Sequence, residues 1–200
     1  NKPLELVVRD LETLSRLRFD KPTKFYQKYF GSSPDAPYRY VLKNLRRIGW
    51  THSESDGQVT TIAQADKSFG SIKVSAAYMK LPLAMRLSGI IHEARHLFIS
   101  DQLHEICPSP YVFKMSPGPN AEESISYTVF PIKAPDVPAC NSSEDSAYGV
   151  QFGFLQAILL SCSNCSDQLK QEAEAGKWGV LTRITDPNAA FRLWKQSNSF

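Results

Sequence analysis

The sequence reads as an α+β, mainly helical domain over residues 1–200, with a small antiparallel sheet next to the helix that carries His92-Glu93-Ala94-Arg95-His96. Three observations lead there. Apolar residues recur at helical spacing in several windows, two short β-branched runs flank a glycine-containing turn, and 200 residues with 42% hydrophobic content suffice to bury one core. Charged residues make up 22% of the chain, and the formal charge of +3 is spread over 23 basic and 20 acidic side chains. That balance argues against a nucleic-acid partner.

Leu4, Val7, Val8, Leu11, Leu14 and Leu17 predict an amphipathic helix over residues 3–18, started by Pro3. Residues 20–37 are rich in Pro, Gly and Ser and read as a connection, after which Val41, Leu42, Leu45 and Ile48 predict a second helix ending at Gly49. Lys43, Arg46 and Arg47 mark its solvated face. Residues 59–63 and 71–78 read as the two strands of a hairpin turning around residues 66–70.

Pro82 opens a helix to about Ile99, and a loop is expected from 107 to 120. Ser142 or Ser143 is expected to cap a helix over residues 144–161, with Glu144 and Asp145 in a first turn where the dipole favours acids. A charged helix over 167–175 is expected to break at Gly176, and Asp186-Pro187 to start the last helix. Trp50, Trp178 and Trp194 read as packing residues. The apolar stretch 150–160 is interrupted by Gln151, Gly153 and Gln156 and is half the roughly 20 residues a spanning helix needs, so the chain is not expected to cross a membrane.

Four cysteines allow three disulfide connectivities. Cys107 with Cys140, and Cys162 with Cys165, is the preferred pairing. A four-thiolate metal site is the weaker alternative, because Cys107 and Cys140 lack close cysteine partners of their own. Disulfides, together with a chain that opens at Asn1 rather than Met, lead to the expectation of a processed, secreted or periplasmic protein.

The run His92-Glu93-Ala94-Arg95-His96 stands out from this background. With four histidines in 200 residues, about 0.004 such matches are expected by chance, which makes coincidence a poor explanation. On a helix, side chains four apart point the same way, so His92 and His96 present two imidazoles to one ion. Leu83, Leu87, Ile90, Ile91, Ala94, Leu97 and Phe98 fall on the opposite arc and bury the other side.

Over residues 70–105, where a strand precedes a helix bearing this motif, the chain resembles the zincin metallopeptidases. The resemblance implies that His92 and His96 bind zinc and that Glu93 holds and deprotonates a zinc-bound water, then passes the proton to the leaving amine. It also implies that an upstream edge strand, here residues 71–78, aligns an extended peptide or protein substrate. Arg95 departs from the pattern, in which the residues between Glu and the second His are usually uncharged. The bland alternative is a pair of core or surface histidines.

A catalytic zinc has three protein ligands and an open position. His104 is the first candidate for the third, in an arrangement similar to that of metzincins, although Ile99 stands where their turning glycine would be and Gln102 where their third histidine would be. On a straight helix His104 would lie about 12 Å beyond His96, so the role requires the chain to reverse between residues 97 and 103. Glu144 or Asp145 is the rival, in a thermolysin-like arrangement. Tyr148 is a candidate for stabilising a tetrahedral oxyanion or a plain packing residue, and Met115 is a weak match to the metzincin methionine turn.

The chain is also similar to exported bacterial proteins that share HEARH, a downstream His-x-x-Cys-Pro (here His104 to Pro108), and a later Cys followed by Ala-Tyr-Gly (here Cys140 and Ala147-Tyr148-Gly149). That likeness implies an exported zincin-like domain and groups His104, Cys107 and Cys140 in one structural site. The expected function is therefore zinc-dependent hydrolysis of peptides, cell-wall peptides included. The alternative is a non-catalytic zincin-like metal-binding or structural module of the cell envelope.

Overall fold

The computed structural model describes residues 2–51, 62–98, 104–107, 111–115, 125–129 and 138–198. The fold is α+β and mainly helical, and it is arranged around α4 (Leu83–Phe98), the helix that carries the His-Glu-x-x-His run. Leu87, Ile90, Ile91, Ala94 and Leu97 on α4 are buried, as the helical spacing requires. They pack against α5 (Ala147–Leu160), α6 (Asp167–Leu181) and a three-stranded sheet.

The sheet is built from β1 (Arg47–Trp50), β2 (Ala63–Asp66) and β3 (Ser71–Val74) in the order β1-β3-β2. The expected hairpin forms, with Ala63 opposite Val74 and Asp66 opposite Ser71 around a 3-10 turn at Lys67–Phe69. Of its first expected strand, residues 59–61 lie outside the described residues. The second strand ends at Val74, short of residue 78, where a turn and a 3-10 segment at Tyr78–Lys80 lead into α4.

Two consequences follow for the sequence reading. First, the helix expected to end at Gly49 stops at Asn44: α3 spans Ala36–Asn44, Leu45 is extended, and residues 47–50 form β1, parallel to β3. The Arg46 backbone N–H donates to the Gly70 carbonyl at 2.7 Å, so sheet pairing outcompetes a modest helical preference. Second, β3 is the central strand, and both of its edges are paired.

The helix α1 (Lys2–Arg16) buries Val7 and Leu14, but Val8 is half exposed and Asp10 is buried in its place. Asp10 accepts from the Tyr78 hydroxyl at 2.7 Å and from Arg86 Nε and Nη2 at 2.8 and 3.0 Å. Arg86 also donates to the Leu81 carbonyl. This knot fastens α1 to the entry of α4. Burial, and then the Asp10 charge, push the Tyr78 hydroxyl far above the ordinary tyrosine range, which keeps it a donor.

Residues 20–37 are not all connection, since α2 (Lys24–Phe30) forms there, capped by the Thr23 side chain accepting from the Tyr26 N–H. The helix expected from residue 144 begins at Ala147, capped by Ser146 rather than Ser142 or Ser143. Ser143 is spent on the Asp145 N–H, and the turn it makes lies against α5 so closely that a Cβ on Gly149 would sit 1.7 Å from the Glu144 carbonyl oxygen. Nor does Gly176 break a helix. It lies inside α6, where a Cβ would meet Met85 Sδ at 2.2 Å, so its lack of a side chain lets α6 approach α4.

The last helix, α7 (Pro187–Asn198), starts at Pro187 as expected. Trp50, Trp178 and Trp194 pack against the core, and Lys43, Arg46 and Arg47 are exposed. Within the stretch expected to be loop, Tyr111–Met115 (β5) pairs antiparallel with Ile125–Val129 (β6), so Met115 ends a strand. Glu105–Ile106 (β4) pairs with Pro138–Cys140 (β7). The disulfides are Cys107–Cys140 and Cys162–Cys165. No helix among the described residues is long and apolar enough to cross a membrane.

Removing Asp10 strands the Arg86 guanidinium in a site from which water is largely excluded. Asp10→Ala is expected to lower stability by about 3–5 kcal/mol, the range for breaking a buried ion pair on one side, read as a fall in the urea midpoint. A change below about 1 kcal/mol would show that the knot is not what joins α1 to α4.

Candidate metal centre

Helical geometry brings His92 and His96 together one turn apart on α4. By residue 104 the chain has turned back, as the third-ligand role requires. His104 immediately precedes β4, whose pairing with β7 and the adjacent Cys107–Cys140 disulfide hold it over the helix. The three Nε2 atoms form an equilateral triangle, each 3.2 Å from the other two. Zinc bound to imidazole at roughly 2.0–2.1 Å with tetrahedral angles needs nitrogens about 3.3–3.4 Å apart, so the triangle has the size of one face of such a site.

Proton accounting strengthens this. His92 Nδ1 lies 3.0 Å from Gln151 Oε1, and the Gln151 amide nitrogen donates to Ser88 Oγ at 3.1 Å, which fixes the amide end facing the ring as oxygen. His104 Nδ1 lies 3.1 Å from Asn141 Oδ1. An amide oxygen only accepts, so both Nδ1 atoms carry the proton and both Nε2 atoms present lone pairs to each other. A single Nε2–H on His96 cannot satisfy two such lone pairs, whereas a cation at the centre satisfies all three. The residues therefore fit a metal ion, and they form a cluster able to hold one.

The surroundings of His92 and His104 favour the neutral form. Burial, then the other two rings, hold His92 well below the ordinary histidine range, and Gln151 opposes this weakly. Burial likewise lowers His104 against the pull of Asn141, with a further small push from Arg183. Neutral imidazole is the form that binds metal.

Glu93 follows His92 by one residue and turns toward β2, where the Ala65 N–H donates to its carboxylate. The side chain is half exposed overall, but its carboxyl group is enclosed. That enclosure pushes it up to about 7, and the Ala65 N–H opposes the shift. Tyr148, in the first turn of α5, has its ring 4.5 Å from that of His92 and 4.9 Å from that of His104, centre to centre. Burial raises its hydroxyl above the ordinary range, Arg183 pulls the other way, and the Glu93 charge raises it further. Glu93 and Tyr148 thus share the surroundings of the triangle.

The rival ligands are engaged elsewhere. Glu144 pairs with Arg192 at 2.8 Å, and Asp145 is held by Lys28 at 2.6 Å and by the Tyr29 hydroxyl. Arg95, the departure within the motif, donates through Nε and Nη2 to the Asp145 carbonyl at 3.1 and 2.9 Å and lies over the Tyr29 ring. It is a clamp between α4 and the turn before α5. Gln151 and Asn141 were missed in the sequence. Gln151 had a signal, as one of two glutamines on a largely apolar helix and one turn past Tyr148, whereas Asn141 gains its role only through strand pairing.

Compared with models of known families, with curated proteins and with solved structures, the chain matches none.

Gln151→Leu frees the His92 tautomer, and a tenfold to hundredfold loss of divalent-metal affinity is expected in chelator competition, the usual cost of losing a ligand's hydrogen-bond partner. Unchanged affinity would contradict the tautomer argument. Replacing Cys107 and Cys140 by serine is expected to weaken metal binding as well as stability, the latter by about 3–4 kcal/mol. The same change at Cys162 and Cys165 leaves metal affinity unaltered. Equal effects from the two pairs would show that the first bridge does not position His104.

Proposed function

We propose that this protein is an exported, zinc-dependent hydrolase, and specifically a metallopeptidase of zincin type. The observation that carries the reading is the triangle of Nε2 atoms 3.2 Å apart, two of them from the helix that also bears Glu93. His92, His96 and His104 would hold the metal, leaving a fourth coordination position for water or substrate. Bound there, zinc supplies a Lewis acid for a carbonyl oxygen and brings the pKa of water down to about 7.

The rest falls to the chain's own residues. The Glu93 carboxylate accepts the proton of the attacking water and hands it to the leaving amine nitrogen as the carbonyl carbon gains its C–O bond and loses its C–N bond. The Tyr148 hydroxyl, kept protonated, donates to the oxygen on which negative charge develops. The substrate-aligning role passes from residues 71–78 to β2, the outer strand on the side of Glu93, because β3 has no free edge.

Two disulfides, one of them beside the third ligand, support a secreted or periplasmic location, where such bonds persist. Glu93→Gln removes the proton acceptor and leaves the imidazoles intact. Hydrolysis of a peptide library is expected to fall by about 10²–10⁴-fold while one zinc per chain is retained. Undiminished turnover contradicts this mechanism, and zinc held by a wild-type protein that cleaves nothing identifies a metal-binding module instead.

A further inference from the structure

Arg183 differs from the other arginines placed near the site. Arg86 is spent on Asp10, Arg192 on Glu144, and Arg95 on the Asp145 carbonyl. Arg183, half-buried in the turn that follows α6, donates Nη1 to the Ala139 carbonyl at 3.1 Å and faces no carboxylate among the described residues. A guanidinium offers five donors, so most of this fork is unspent. Its Cζ lies 5.9 Å from the centre of the Tyr148 ring, which in turn touches His92 and His104.

A fixed positive charge beside a divalent-metal site is electrostatically unfavourable unless an anion completes the arrangement. Glu93 offsets one charge. Among the described residues near His104, Glu105 is exposed and accepts from the Ser142 hydroxyl and N–H. With metal bound, the described residues leave the site net positive, a charge that a substrate carboxylate would balance.

We propose that Arg183 binds a carboxylate of the substrate across Tyr148 from the metal centre, so that the site selects peptides with a free carboxylate close to the bond cut. The guanidinium lies no farther from the His104 ring than the two ring distances combined, and an extended residue spans roughly 3.3–3.6 Å, which puts that carboxylate within about three residues. The carboxylate belongs either to the peptide's C-terminus, making the protein an exopeptidase, or to an acidic side chain. Both present the planar pair of oxygens that a guanidinium fork matches. The proposal rests on the hydrolase reading above.

The test is calorimetric and needs no turnover. Three probes are titrated into the zinc-loaded protein: hydroxamate-capped dileucine as the free acid, the same compound as its C-terminal amide, and the amide with glutamate in place of the last leucine. Wild-type protein is expected to bind the free acid, or the glutamate amide, roughly 10- to 100-fold more tightly than the plain amide. The first result assigns the terminus and the second the side chain.

Arg183→Gln should bring all three within about twofold, and Arg183→Lys should keep part of the preference, because ammonium retains the charge but not the fork. Zinc content and melting temperature of each variant verify an intact site, and the wild-type comparison needs no variant. Equal binding of the three probes by wild-type protein overturns the proposal and leaves the hydrolase reading standing, as does a preference that survives Arg183→Gln. Failure of every hydroxamate to bind zinc-loaded protein overturns both.

Discussion

Three imidazole Nε2 atoms 3.2 Å apart, two of them held as lone-pair acceptors, are the constraint on which the rest of the molecule depends. Two amide oxygens, from Gln151 and Asn141, hold the ring protons of His92 and His104 on the outer nitrogens, so the inner nitrogens cannot satisfy one another. Leaving buried acceptors unmet costs about 1–3 kcal/mol each, and no hydrogen-bonding scheme within the triangle meets all of them. A cation does. The fold can be understood as the scaffold that holds these three nitrogens at the spacing one ion requires.

That scaffold combines a rigid half and a stapled half. His92 and His96 stand on α4, buried along the opposite arc and joined to α1 by the Asp10–Arg86–Tyr78 knot. α5 supplies both core and chemistry: its apolar residues fill the interior, and Tyr148 and Gln151, three residues apart, reach the rings of α4. His104 and Asn141 lie at the ends of the short strands β4 and β7, with little helix to steady them. The Cys107–Cys140 bridge lies three residues from one and one residue from the other. A covalent staple does there what a hydrophobic arc does for α4.

Much of this was legible in the sequence wherever the signal was local. The motif helix, its buried arc, both disulfides, the last helix at Pro187 and the packing tryptophans follow from spacing, pairing arithmetic and start signals. Errors arose where a distant segment settled the outcome. Residues 45–50 look helical alone but are drawn into a parallel pairing with β3, and Gly176 looks like a breaker until Met85 is seen against it. Asp10 sits on an apolar face because Arg86, 76 residues later, meets it there. At the site, the three histidines able to hold a metal could be found by residue type and spacing. Asn141 and Arg183 could not, because strand pairing and a loop after α6 bring them in.

The central claim is that three histidines share one ion, and the direct measurement is metal content of protein purified without added metal, followed by anomalous diffraction at the zinc edge. The expected result is one zinc per chain, at roughly 2.0–2.1 Å from Nε2 of His92, His96 and His104. A chain that carries no metal, or an anomalous peak that leaves His104 out of the ligand set, would contradict it.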